Sequence, residues 1–200
     1  MPHRVSAVLL AAGLSKRMGH LKQLLPLNGK PIIRNGLETL LLSGIEDTVV
    51  VLGSGHERIR ESVHDLSVKI VFNTDPASDM AESLRTGLRA VVKSSSGILI
   101  SLADQPLVSA ETIKSLVALH GQEPDRILIP QYGTKKGHPV LLPKSLLEDI
   151  FYGGTLRDVI KKYPERVCLL PVTDEGVILD IDTVDDYKKI LERHTARVKN

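Results

Sequence analysis

The chain has 200 residues, one cysteine, 42% hydrophobic and 25% charged residues, and a net charge of +2 with histidines neutral. That length and composition fit one globular domain, residues 1–200, with a sizeable core. Near-neutral charge argues against a nucleic-acid polymer as partner, Cys168 alone excludes an internal disulfide, and no apolar run approaches the ~20 residues needed to span a bilayer. The opening M-P-H-R-V-S lacks the layout of a secretory signal, so a soluble cytoplasmic protein is expected.

Taken in order, short apolar runs alternate with helical patterns. Val5–Leu10 reads as a buried strand. Pro31 suits the first turn of a helix whose inward face is Ile32, Ile33, Leu37, Leu40 and Leu41, ended by Gly44. Thr48–Leu52 is a second strand, Glu57–His64 a short helix and Val68–Phe72 a third strand. Met80–Val92 is predicted helical, Gly97–Leu102 a fourth strand, and Ser109 caps a helix with Ile113, Leu116 and Val117 inward. Ile127–Ile129 and Pro139–Leu142 read as strands, Pro143–Phe151 and Leu156–Tyr163 as helices. Val167–Val172 and Val177–Ile181 return to strand, and Val184–Arg193 closes as a helix. Cys168 is expected in the core. His3, His56, His64, His120 and His194 show no ligand pairing and read as surface residues. Apolar strands joined by helices predict an α/β fold: a doubly wound, mostly parallel sheet sandwiched by helices, Rossmann-like in plan. In such sheets ligands bind beyond the carboxyl ends of the strands.

Four segments fall at those ends. The first, after Val8–Ala12, brackets Lys16 and Arg17 between Gly13 and Gly19 and is followed by Lys22. Small residues at Ala11, Ala12 and Gly13 allow close approach of a ligand, and turned N–H groups with three cations suit a polyphosphate. A solvated loop carrying surface charge fits the same spacing. Neither G-x-x-x-x-G-K-[ST] nor G-x-G-x-x-G is present. The second segment holds Asn73 and, past Asp79, Ser83 at a helix start; base or ribose contacts and plain turn-and-cap chemistry are both open. The third is L-A-D-Q-P, where Asp104 ends an apolar strand. A lone carboxylate there suits a metal–triphosphate site or a turn cap. The fourth is L-D-I-D-T, with Asp180 and Asp182 on one side of an extended stretch and Thr183–Asp186 forming a capping box. Between the last two, G-T-K-K-G-H-P presents His138 in a cationic loop or surface hairpin.

The stretch L-A-A-G-L-S-K-R-M-G-H-L-K-Q-L-L-P-L-N-G-K-P-I resembles the signature of the small nucleotidyltransferases, most closely the MobA-like branch and, within it, the molybdenum cofactor cytidylyltransferases. The resemblance continues in D-Q-P, in G-H-P, and in D-I-D-T-V-D-D, which lacks only the family's proline. It implies a nucleotide-diphospho-sugar transferase fold and transfer of a nucleoside monophosphate from an NTP to a phosphomonoester, with diphosphate released. It implies Mg2+ on Asp104 and Asp182, with Asp104 also in the catalytic set. Lys22 is implied at the α-phosphate, Arg17 at the β- and γ-phosphates, and backbone groups of Leu10, Ala11, Ala12 and Gly13 at the base. Asn73 and Ser83 are implied in the nucleotide pocket, His138 and Arg157 on the acceptor side. The A-A-G and K-Q-L-L forms resemble the cytidylyl branch, implying CTP and a molybdopterin acceptor, with a molybdenum enzyme or its maturation factor as partner.

Two departures stand out. Asp79 occupies a place where the family usually has glycine, and G-G-T-L-R-D stands near the family's G-D-x-G-A-R, reading instead as a capping box at Thr155–Asp158. Methylerythritol-phosphate cytidylyltransferase shares the opening motif but carries A-A-R-P where this chain has L-A-D-Q-P. A sugar-phosphate acceptor, and a non-catalytic nucleotide-binding partner of a molybdenum enzyme, are the other expectations.

Overall fold

The computed structural model describes residues 4–13, 21–53, 56–75 and 79–199, with side chains through 195. The main sheet is built from β1 (Val5–Ala11), β4 (Asp47–Leu52), β5 (Lys69–Phe72), β6 (Gly97–Leu102), β7 (Ile127–Tyr132), β9 (Val140–Pro143) and β10 (Val167–Pro171). Its order is β10-β7-β9-β6-β1-β4-β5, and the two-residue β8 (Lys135–Lys136) pairs with β7. The helices are α1 (Ile32–Leu42), α2 (His56–Glu61), α3 (Met80–Ala90), α4 (Ala110–Gln122), α5 (Glu148–Phe151), α6 (Leu156–Lys162) and α7 (Val184–Lys199).

β1 is buried along its whole length because helices cover both faces of the sheet. Its side chains alternate between two cores. Ala7, Leu9 and Ala11 pack with Ile33, Leu37 and Leu40 of α1 and Ile113 and Leu116 of α4. Val8 and Leu10 pack with Leu84 and Leu88 of α3, Ile150 and Val159. Each fully buried side chain of this size contributes roughly 1.5–3 kcal/mol, so the period-2 pattern of β1 ties both layers to one strand. A third, smaller cluster of Leu27, Ile32, Leu107, Ile181 and Ile190 fastens α7 to one end of the sheet.

β1 pairs in parallel with β4 on one side and β6 on the other. The chain runs from β1 outward to β4 and β5, then crosses back to β6. The strand order therefore reverses beside β1, and a crevice is expected there at the carboxyl ends.

The sheet is mainly parallel, as expected, with β9 antiparallel to both β6 and β7. The short connection of residues 133–139 cannot hold the dozen residues a parallel crossover needs. Several expectations need correction. Val177–Ile181 is not a strand. Glu175–Ile178 forms a 3-10 turn capped by Asp174, and β10 already takes the open edge of β7. The expected helix 143–151 is split into a 3-10 turn, Lys144–Leu147, followed by α5. Cys168 is only half-buried, because it lies in the edge strand β10. His120 is fully buried, not a surface residue; its Nε2 lies 3.2 Å from Ser96 Oγ.

A small hairpin, β2 (Pro26–Leu27) and β3 (Lys30–Pro31), precedes α1. Its turn, Asn28-Gly29, has φ of 54° and 74°. Positive φ at both central residues is the arrangement that Asn-Gly favours in two-residue hairpins.

Candidate active site

The carboxyl ends of β1, β4, β5 and β6 meet at one rim of the sheet. Past β6, the N–H of Ala103 donates to Leu10 O (3.0 Å), which draws the turn carrying Asp104 against the end of β1. From the other direction, Ile181 is fully buried and its N–H donates to Asp104 O (3.0 Å). That bond sets the D-I-D segment beside Asp104, leaving Asp180 and Asp182 exposed on either side of Ile181. The Thr183–Asp186 capping box forms as expected, with Thr183 N–H on Asp186 Oδ2 (3.0 Å) and Asp186 N–H on Thr183 Oγ1 (3.2 Å).

Lys22 completes the group. It opens a 3-10 turn, Lys22–Leu24, held from both sides: α1 packs beneath it, and Tyr187 of α7 donates its hydroxyl to Pro26 O. Lys22 Nζ donates to Asp104 Oδ2 (2.7 Å), to Ile181 O (2.9 Å) and to Asp182 Oδ1 (3.3 Å). The Lys22 and Asp104 side chains are 15% and 23% exposed, against 50% for Asp182, so the first pair is well shielded from water. Positions 82 and 160 residues away in the chain thus converge on one ammonium.

A divalent cation fits this donor set. Asp104 Oδ1 is buried and has no hydrogen-bond partner among the described residues, a costly state for a carboxylate oxygen unless something positive faces it. Hard oxygen donors from two carboxylates suit a metal that completes its shell with water and phosphate oxygens. Among the described residues, no group of three or more His, Cys, Asp or Glu side chains could hold a metal by protein ligands alone.

Gln23, which sequence reasoning passed over, is 3% exposed, and its Nε2 donates to both Ala11 O and Gly13 O (2.9 Å each). Leu10 O, Ala11 O and Gly13 O therefore already accept bonds from the protein, and Ala12 and Gly13 lie just past the end of β1. Gly53, at the end of β4, lies against Ala12: a Cβ there would stand 2.4 Å from Ala12 O. Lys16, Arg17, Gly19 and His20 fall outside the described residues.

Asn73 and Ser83 come together, with Asn73 Nδ2 donating to Ser83 Oγ (2.9 Å), both residues buried. The N–H of Asn73 also donates to Leu52 O, extending the β4–β5 pairing to the rim. Asp79 is the N-cap of α3, its Oδ1 accepting the Glu82 N–H (2.8 Å), which accounts for a short acidic side chain at that departure from the family pattern. His138 is half-buried, its N–H on Val177 O (2.9 Å). Burial pushes its pKa down, while the nearby Asp104 carboxylate pulls the other way, placing His138 within the field of the Lys22 group. Arg157 is exposed in the first turn of α6 and takes no part in that hydrogen-bonded group; Thr155 and Asp158 beside it form the expected capping box.

The chain is 31% identical to nicotine blue oxidoreductase of Paenarthrobacter nicotinovorans over 94% of its own length and 96% of that protein's. It is 24% identical to molybdenum cofactor cytidylyltransferase of Escherichia coli K12, covering 96% of this chain and 97% of that one. The crystal structure of Rv0371c from Mycobacterium tuberculosis H37Rv superposes with a TM-score of 0.85 at 28% identity, covering 96% of this chain and 99% of that one. A manganese complex of the same protein gives 0.81 at 27%, covering 96% and 100%. No helix among the described residues is long and apolar enough to cross a membrane. Residues 7–167 match the MobA-like NTP transferase domain, and the chain belongs to that family of nucleotidyltransferases, with their nucleotide-diphospho-sugar transferase fold.

Proposed function

We propose that this protein transfers cytidine monophosphate from CTP to the terminal phosphate of a molybdopterin-type acceptor, releasing diphosphate. The observation that carries the reading is the convergence of Lys22, Asp104 and Asp182 on one point at the carboxyl rim of the sheet, beside the break in strand order. A phosphate oxygen of the acceptor attacks the α-phosphorus in line; the new P–O bond forms as the bond to the β-phosphate oxygen breaks. No enzyme nucleophile is needed, so the chain contributes position and charge.

Lys22 lies within reach of the rim and neutralises charge growing on the α-phosphate. Arg17 takes the β- and γ-phosphates. Ala12 and Gly13 offer their backbone to the base, with Leu10 and Ala11 holding them in place from β1. Asn73 and Ser83 brace the pocket wall at the end of β5. His138 borders the acceptor side, and Arg157 is the second residue assigned to the acceptor. Asp104 and Asp182 would hold Mg2+, which would supply charge neutralisation on the triphosphate; the manganese complex of the Mycobacterium tuberculosis relative supports the use of a divalent ion.

The test is Mg2+-dependent diphosphate release with CTP, GTP, UTP and ATP, with and without molybdopterin, for wild type and Asp104→Asn. Selective release with CTP, reduced a hundredfold or more in the variant, is expected. Equal rates in folded Asp104→Asn would overturn the assignment. Release with another NTP moves the acceptor toward sugar phosphates. A second reading, oxidoreduction, is favoured by the 31% identity to nicotine blue oxidoreductase. It predicts turnover of a redox substrate without diphosphate release, whereas a molybdenum-enzyme binding partner would show neither.

A further inference from the structure

The chain holds two phenylalanines, and one of them stands at the rim of the sheet. Phe72 ends β5 and leaves 38% of its surface exposed. His56, the first residue of α2, lies against it, with ring centroids 4.7 Å apart and planes tilted by 53°. The next residue, Asn73, is buried and bonded to Ser83. We propose that Phe72, seated on His56, is the stacking platform for the base of the bound nucleotide. The inference rests on the reading of the rim as an NTP site.

Strand register fixes where the ring lies. Phe72 pairs with Leu52, and parallel partners point to the same face of a sheet. Leu52 packs in the core on the α1 side, together with Ile59 of α2. Leu21 and Leu24, on either side of Lys22, pack against that same core. Phe72 and the Lys22 turn therefore share one face of the sheet. β5 stands two strands from β1, about 10 Å. A nucleotide bridges that span when its α-phosphate lies at Lys22 and its base at β5. Ala12 and Gly13 past β1 and Gly53 past β4 lie between them. None of these carries more than a methyl group, so a flat ring can approach the backbone and meet an aromatic face at the far end. Covering that face with a base removes apolar surface from water and adds ring stacking. Every base has a π-face, so Phe72 supplies affinity, while the choice among bases stays with polar groups such as Asn73 and Ser83. His138 precedes β9, which lies on the other side of β1 from β5. The platform thus serves the nucleotide and not the ring of the acceptor.

The chain has no tryptophan, so Phe72→Trp installs a single fluorophore at the platform. With Mg2+ present, CTP is expected to quench it, and tripolyphosphate, which has no base, to leave it unchanged. Phe72→Leu keeps an apolar side chain but removes the ring. By calorimetry it is expected to bind CTP about tenfold or more weakly than wild type, and tripolyphosphate equally well. Phe72→Tyr, which keeps the ring, is expected to bind CTP as wild type does. Wild-type CTP affinity in Phe72→Leu overturns the proposal, as does a Phe72→Trp signal that stays constant while calorimetry shows CTP bound. A loss as large in Phe72→Tyr as in Phe72→Leu places the effect in the fold and also overturns it. Quenching by a free pterin without nucleotide assigns the ring to the acceptor, with the same result. In each of these cases the NTP site stands. Failure of the wild type to bind any NTP would instead remove the reading of the site, and the platform with it.

Discussion

Replacing Gly53 with alanine tests how tightly the rim of the sheet sets the nucleotide loop. A Cβ on Gly53 would stand 2.4 Å from Ala12 O and 3.0 Å from both Ala12 C and Ala12 Cα. These are backbone atoms, so no side chain can rotate out of the way. Ordinary contact requires about 3.5 Å, so Ala12 or the end of β4 must move by about 1 Å. The shift falls on the backbone just past β1, because Leu10 O and Ala11 O are held by Ala103 and Gln23. Overpacking of this kind costs about 1–3 kcal/mol of stability. A misplacement of about 1 Å at a substrate-positioning segment costs about a hundredfold in rate. Gly121→Ala is the control: it lies in α4 with nothing within 4 Å of a Cβ, and alanine there should stabilise by roughly 0.5–1 kcal/mol. The assay is thermal melting with diphosphate release at subsaturating CTP. A Gly53→Ala protein with wild-type kcat/KM would refute the claim that Ala12 and Gly13 cradle the nucleotide.

Gln23→Ala strips the donor from Ala11 O and Gly13 O and should lower stability by about 2 kcal/mol while raising KM for the NTP more than it lowers kcat; an unchanged KM would confine Gln23 to the fold. Asp79→Ala removes the α3 N-cap and should cost about 1 kcal/mol, or a fall in Tm of about 2–4 °C, with the preference among NTPs unchanged. Acid should destabilise the protein through Asp65, whose carboxylate grips Arg34 through two bonds of 2.6 and 2.7 Å and has its pKa lowered to about 2. Because the folded value lies below the unfolded one, this contribution is present above about pH 4 and is lost as pH falls toward 2. Asp65→Asn should flatten that part of the Tm–pH curve, and an unaltered curve would refute the assignment.

Much of the fold was legible in the residues. Runs such as Val5–Leu10 and Gly97–Leu102 are apolar throughout because both faces are buried, and that pattern survives without knowledge of partners. The caps at Ser109, Thr155 and Thr183 were legible for a similar reason: each is a local bond spanning three residues. Gln23 was not legible, because a glutamine in a polar loop gives no sign that its amide will be buried against two carbonyls. The Asn28-Gly29 turn carries a hairpin signal inside the longer K-Q-L-L-P-L-N-G-K-P-I motif.

By itself the sequence determined most of the elements and the residue types at the strand termini, since these depend on periodicity and on contacts within a few residues. Tertiary structure decided the rest. The antiparallel setting of β9 follows from a connection too short to cross the sheet. The loss of a strand at 177–181 follows from competition with β10 for one edge. The meeting of Lys22 with Asp104 and Asp182 depends on single long-range bonds, such as Ile181 N–H to Asp104 O, whose partners the chain order leaves far apart.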